Sequence, residues 1–198
     1  MKLKKGAWAF LLLFTTLPAV AYPTIHTRYQ YYEIRGNSAK ALRREMNQKG
    51  YKDIDGKIYD AATPWEVHWN HQIEETPPGC SNVSVKTVVD VIFIFPKWTP
   101  SLKVPAELKE EWDRYLKALQ THEDGHKQHA IKAAQEIEQA FMAMGPRANC
   151  GVLNAQTDAL GHRIIDQYAQ RDIDYDRETQ HGKTQDATFP KNYFLKKK

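Results

Sequence analysis

Residues 105–144 repeat apolar side chains with the period of an α-helix, and Gly145-Pro146 supplies a stop. Pro105 sits at the first turn, where its missing N–H removes no helical hydrogen bond. On a wheel of about 100° per residue with His122 at zero, Trp112, Tyr115, Leu116, Leu119, Ala130, Ala133, Ile137, Ala140 and Phe141 fall within an arc of about 120°. Lys117, Asp124, Gln128, Lys132, Gln135 and Gln139 fall outside that arc and are expected to face water. A helix this long with one apolar stripe needs a packing partner along its whole length, and that requirement dominates what the chain can become. Gly125 costs about 1 kcal/mol against alanine in a helix; a break there, a close approach by another segment and simple tolerance are the open readings.

The upstream sequence offers a partner. Val83, Val85, Thr87 and Val89 alternate with Ser84, Lys86, Val88 and Asp90, and Val91 to Phe95 form an apolar run expected at the centre of a sheet. Residues 29–34 read as another strand. Asn37-Ser38 can cap a helix running to about Gln48, with Ala39, Leu42 and Met46 on one side. After the Asp55-Gly56 turn, residues 58–61 and 65–73 read as two sides of a meander; Trp65, Val67 and Trp69 alternate with Glu66, His68 and Asn70. A second helix is expected over about 154–172, with an irregular segment from about 173. The order implies an α+β fold in one domain, 22–198: a small antiparallel or mixed sheet packed on the long helix and a following helix.

Three polar side chains interrupt the apolar stripe in its middle. His126 lies about 40° and Glu123 about 100° from His122, inside the arc that must be buried. Burying an unpaired carboxylate costs several kcal/mol or forces it neutral. A divalent cation would partner both imidazoles together. Histidines at i and i+4 stand about 6 Å apart along the axis, so both rings can reach one ion at about 2.0–2.1 Å. Glu123 is then placed as general base toward water, which is the mechanical content of H-E-x-x-H, with Zn2+ the expected ion. The competing reading is a core polar cluster satisfied by hydrogen bonds alone.

A catalytic zinc takes three protein ligands. His129 is about 10.5 Å up the axis from His122, so both rings would have to stretch toward one ion. His129 and Lys132 also exclude the longer metzincin motif. No glutamate occurs between 154 and 172; Asp158, His162, Asp166 and Asp172 are the polar candidates there. His181, followed by Gly182 in the irregular segment, is the preferred third metal ligand. Asp176 is expected behind a ligand ring as its acceptor, and Tyr175 is expected to steady a developing oxyanion.

Lys2, Lys4 and Lys5 precede an apolar run of about ten residues and Ala19-Val20-Ala21, the pattern of a signal peptide cleaved after about Ala21. The run is too short to span a bilayer, and no cysteine near the cleavage point suggests a lipid anchor. A periplasmic or secreted protein is expected. Removing those three lysines takes the formal charge from +4 to +1, with 25 basic against 24 acidic residues, which argues against a nucleic-acid partner. Lys196-Lys197-Lys198 reads as a solvated end. Cys80 and Cys150 are the only cysteines, and in an oxidising compartment they are expected to form a disulfide.

These motifs resemble a bacterial family of secreted proteins of unknown function described as predicted zinc-dependent proteases. The matching residues are Thr63-x-Trp65, the strand over 83–96 followed by Trp98, Leu108 with Trp112, Leu119, His122-Glu123-x-x-His126, Cys150, and Tyr175-Asp176-x-x-Thr179-x-His181-Gly182. They span nearly all of the chain after the signal peptide, and the last string is more specific than H-E-x-x-H. The resemblance implies a zincin-like zinc metallopeptidase acting on a peptide or protein substrate; His129 is outside the family pattern. Two alternatives stay open. One is a cell-wall amide hydrolase using the same site on peptidoglycan peptide, and the other a non-catalytic binding protein with a structural metal.

Overall fold

The computed structural model describes residues 22–100 and 103–191, so the expected signal peptide and the terminal lysines lie outside the described residues. In chain order the elements are β1 (Thr24–Ile34), α1 (Ala39–Lys49), β2 (Tyr51–Lys52), β3 (Ile58–Tyr59), β4 (Trp65–Thr76), β5 (Gly79–Trp98), α2 (Ala106–Met142) and α3 (Cys150–Thr179), followed by a 3-10 turn, Lys183–Gln185. This is an α+β arrangement with a small mixed sheet.

β5 is the central strand, as its apolar run requires. It pairs antiparallel with β4 through a tight hairpin and parallel with β1. Val85, Thr87, Val89, Val91, Phe93 and Phe95 alternate inward and are buried. They meet the stripe of α2, where Leu108, Trp112, Tyr115, Leu119, Ala130, Ala133, Ala134, Ile137 and Phe141 are buried. Thr87 and Glu138 lock the two elements: the Thr87 N–H and hydroxyl both donate to Glu138 Oε1, at 2.9 and 2.7 Å. α1 is capped by Ser38, whose Oγ accepts the Ala41 N–H at 3.2 Å, and it buries Leu42 and Met46.

The structure corrects four expectations. Residues 58–61 and 65–73 do not form a meander. β3 pairs with β2 across the Gly56 turn, while Ala62 bridges Ile94 and so extends the β4 side of the main sheet. β1 begins five residues earlier than expected, because an exposed edge strand needs little apolar alternation. α2 does not break at Gly125. The segment from 173 is not irregular: α3 starts at its Asn149 cap, whose side chain accepts the Val152 N–H at 2.9 Å, and continues to Thr179.

The expected disulfide joins Cys80 in β5 to Cys150 at the start of α3. It holds the short α2–α3 connection against the sheet, so α3 returns antiparallel along α2. Among the described residues no helix is long and apolar enough to cross a membrane.

Candidate metal and catalytic site

Antiparallel packing of α2 and α3 sets two pairs of residues against each other. His122 and His126 are four apart on α2, and Asp172 and Asp176 are four apart on α3. Each pair occupies one face of its helix, about 6 Å of rise between members. In the antiparallel register His122 meets Asp176, and His126 lies between both aspartates.

The atoms converge closely. His122 Nε2 stands 3.1 Å, and His126 Nε2 3.3 Å, from the same oxygen, Asp176 Oδ1. Among the described residues, His122, His126 and Asp176 form one group whose candidate ligand atoms all lie within 4.8 Å of one another; His126, His129 and Asp172 form another. His181 belongs to neither, although its Nδ1 is 3.3 Å from Asp176 Oδ1. Both helix histidines are buried, at 3 % and 8 % exposure, whereas the His181 side chain is 40 % exposed.

The far nitrogens of both rings are committed. His122 Nδ1 is 2.9 Å from Gln185 Oε1, and His126 Nδ1 is 3.0 Å from Asp172 Oδ1. Asp172 also contacts His129 Nδ1 at 2.6 Å and accepts the Trp65 indole N–H through Oδ2 at 2.5 Å. Acceptors behind each ring hold a proton on Nδ1, so Nε2, which faces Asp176 at the shared point, is the nitrogen that would give up its proton to a cation.

Glu123 is buried beside them, and its Oε2 accepts the Thr63 hydroxyl at 2.6 Å. Burial pushes its carboxyl up from the usual range, partly opposed by the Thr63 hydrogen bond and the neighbouring imidazoles. Asp176 moves the other way. Burial favours its neutral form, but hydrogen bonds from His122 and His126 outweigh it and hold the carboxyl well below its usual value. For His126, burial opposes the charged ring; hydrogen bonds to Asp172 and Asp176 overcome it and push the ring up to about 10.

Tyr175 lies behind the site. Its ring stacks on His122 at 5.0 Å between centroids and 11° between planes, and its hydroxyl donates to the His122 carbonyl oxygen at 3.2 Å. It approaches α2 over Gly125, where a Cβ would collide with the tyrosine ring and hydroxyl. Close approach, not tolerance, therefore explains this glycine. Gly182 does the same from the other side: it has φ +78°, and a Cβ there would press on the His122 ring.

His122, Glu123, His126, Asp172, Asp176 and His181 line one cleft of about 530 Å³. Its other walls come from α1, the β2–β3 hairpin and the segment 60–64; Tyr175 and His129 do not line it. The sequence reading brought His122, Glu123, His126 and Asp176 to one place. It did not foresee Gln185, or Thr63 and Trp65 as hydrogen-bond donors to Glu123 and Asp172. A usable signal was present: Asp172 and Asp176 repeat the four-residue spacing of His122 and His126.

A family model described as "Bacterial protein of unknown function (DUF922)" matches residues 29–182, which is most of the chain. No curated protein and no solved structure matches it.

Proposed function

The chain belongs to this bacterial family of unknown function, DUF922, and we propose that it is a periplasmic or secreted zinc-dependent metallopeptidase. The observation that carries the reading is the convergence of His122 Nε2 and His126 Nε2 on one Asp176 oxygen, at 3.1 and 3.3 Å, beside a buried glutamate in an open cleft. Two imidazoles and a carboxylate form a donor set suited to zinc, and it leaves room for water. The acceptors behind both Nδ1 atoms fit the same ion, because they free the two Nε2 lone pairs together. We assign the third donor to Asp176 ahead of His181, since Asp176 reaches both imidazoles directly and His181 reaches only Asp176.

A bound zinc ion would supply Lewis acidity, polarising a carbonyl and making water nucleophilic near neutral pH. Glu123 would accept the proton of that water and deliver it to the leaving amine. Thr63 occupies Oε2, so Oε1 is the oxygen left for the transfer. Burial raises the basicity of this carboxylate toward the range useful at neutral pH. Tyr175 contributes by holding the His122 ring from behind, since its hydroxyl is engaged with the His122 carbonyl and Gln185. The α+β scaffold, with both histidines on a long helix packed under the sheet, is consistent with a zincin-like hydrolase.

The test is Glu123→Gln, assayed on casein and on purified cell-wall material. The variant is expected to keep its fold and metal and to lose about 10²–10⁴-fold in hydrolysis. Wild-type cleavage by this variant would overturn the mechanism, and activity on cell-wall material alone would move the substrate from protein to peptidoglycan peptide.

A further inference from the structure

Asp172 has no place in the ligand set just described, yet three side chains engage it beside the site. Its Oδ1 lies 3.0 Å from His126 Nδ1 and 2.6 Å from His129 Nδ1, and its Oδ2 accepts the Trp65 indole N–H at 2.5 Å. Its side chain is 19 % exposed. Trp65 is the first residue of β4, so this hydrogen bond ties the sheet edge to α3.

The His126, His129 and Asp172 group could be read as a second cation position. That reading requires the His126 ring to bind through both nitrogens at once, which strips it of both ring protons. Two N–H donors sharing one carboxylate oxygen account for the same distances without a second ion, and the indole satisfies the other oxygen. Hydrogen bonding is therefore the stronger assignment.

We propose that Asp172, clamped by Trp65, is the positioning carboxylate that fixes the His126 tautomer and ring orientation for metal binding. This rests on the metal-site reading above. The arrangement divides the labour of the two aspartates: Asp176 faces the Nε2 atoms from the cleft, and Asp172 holds Nδ1 from behind. It also explains the pairing of Thr63 with Trp65. Two residues apart on extended backbone, they lie on the same side and steady the site's two supporting carboxylates, Glu123 and Asp172. His129 is a further donor to Asp172, outside the ion's reach.

The experiment titrates the purified full chain with Zn2+ against a chelator of known affinity, and with Co2+ followed by visible absorption. Wild type is expected to bind one ion. Asp172→Asn is expected to bind about 10–100-fold more weakly with unchanged far-UV circular dichroism. Trp65→Phe keeps an aromatic ring but removes the N–H, and is expected to weaken binding to a smaller extent. Should Asp172→Asn fail to fold, Trp65→Phe carries the test alone. In the zinc-loaded protein, imidazole ¹⁵N spectra are expected to show the His126 proton on Nδ1, and Asp172→Asn is expected to disturb that signal. Tight wild-type binding with unchanged affinity in both variants overturns this proposal and leaves the metal site standing. Two ions per chain, falling to one in His129→Ala, also overturns it. A wild type that takes up no metal overturns both this proposal and the reading it rests on.

Discussion

Arg43, Asp60, Tyr115 and Tyr32 form a second polar knot at the far wall of the cleft. Arg43 Nη2 donates to Asp60 Oδ2 at 2.8 Å, the Tyr115 hydroxyl donates to the same oxygen at 2.5 Å, and the Tyr32 hydroxyl donates to the Asp60 carbonyl at 2.6 Å. Tyr115 is fully buried on α2 and Tyr32 lies on β1, so the knot joins three elements through one aspartate. Burial first, and then the Asp60 charge, push both phenols above their ordinary value. The sign follows from proton uptake. An unfolded tyrosine ionises near pH 10, whereas these two keep their protons in the folded chain. Their contribution to stability is complete below about pH 10 and is lost as the pH rises beyond it. Phenolate absorbance during an alkaline titration is expected to show at least two of the ten tyrosines ionising only as the chain unfolds. Smooth ionisation of all ten near pH 10 in a folded protein would contradict this.

At the scale of elements, the site is made by the contact of α2 with α3. Gly125 is the residue that permits it, and the two effects of replacing it have opposite signs. Alanine improves helix propensity by about 1 kcal/mol, but its Cβ would run into Tyr175. Overpacking of that kind costs about 1–3 kcal/mol. Gly125→Ala is therefore expected to lower the thermal midpoint and to weaken metal binding, because Tyr175 stacks on His122. A stabilised variant with unchanged metal affinity would show that the close approach is dispensable.

The same contact explains what was legible beforehand. α2 was readable because its inward face is apolar for most of its length, and the three polar residues stood out against that stripe. The last two turns of α3 were not. Their inward residues are Asp172, Tyr175, Asp176 and Thr179, which keep the helical period but carry no hydrophobic signal. A polar face turned toward a site looks the same as a loop to any reading based on apolar recurrence. Gln185 and Trp65 were beyond reach for another reason: their partners lie far away in sequence, and only the register of packed helices brings them together.

For the whole molecule, β5 and the disulfide provide the frame. β5 reaches from the Cys80 bridge at one end to Trp98 at the other, and α2 lies along it. Cys80–Cys150 fixes where α3 begins, and thereby the register at which its aspartates meet the histidines. The segment 60–64 closes the cleft from the sheet side, and residues 181–189 close it from the chain end. The packing of α2 on α3 thus brings two imidazoles and a carboxylate around one point. The direct measurement is the metal content of the folded chain purified without chelators. One tightly held transition-metal ion per chain, lost in His122→Ala, is the predicted result. A folded wild-type chain that carries no stoichiometric metal and takes up none would contradict it.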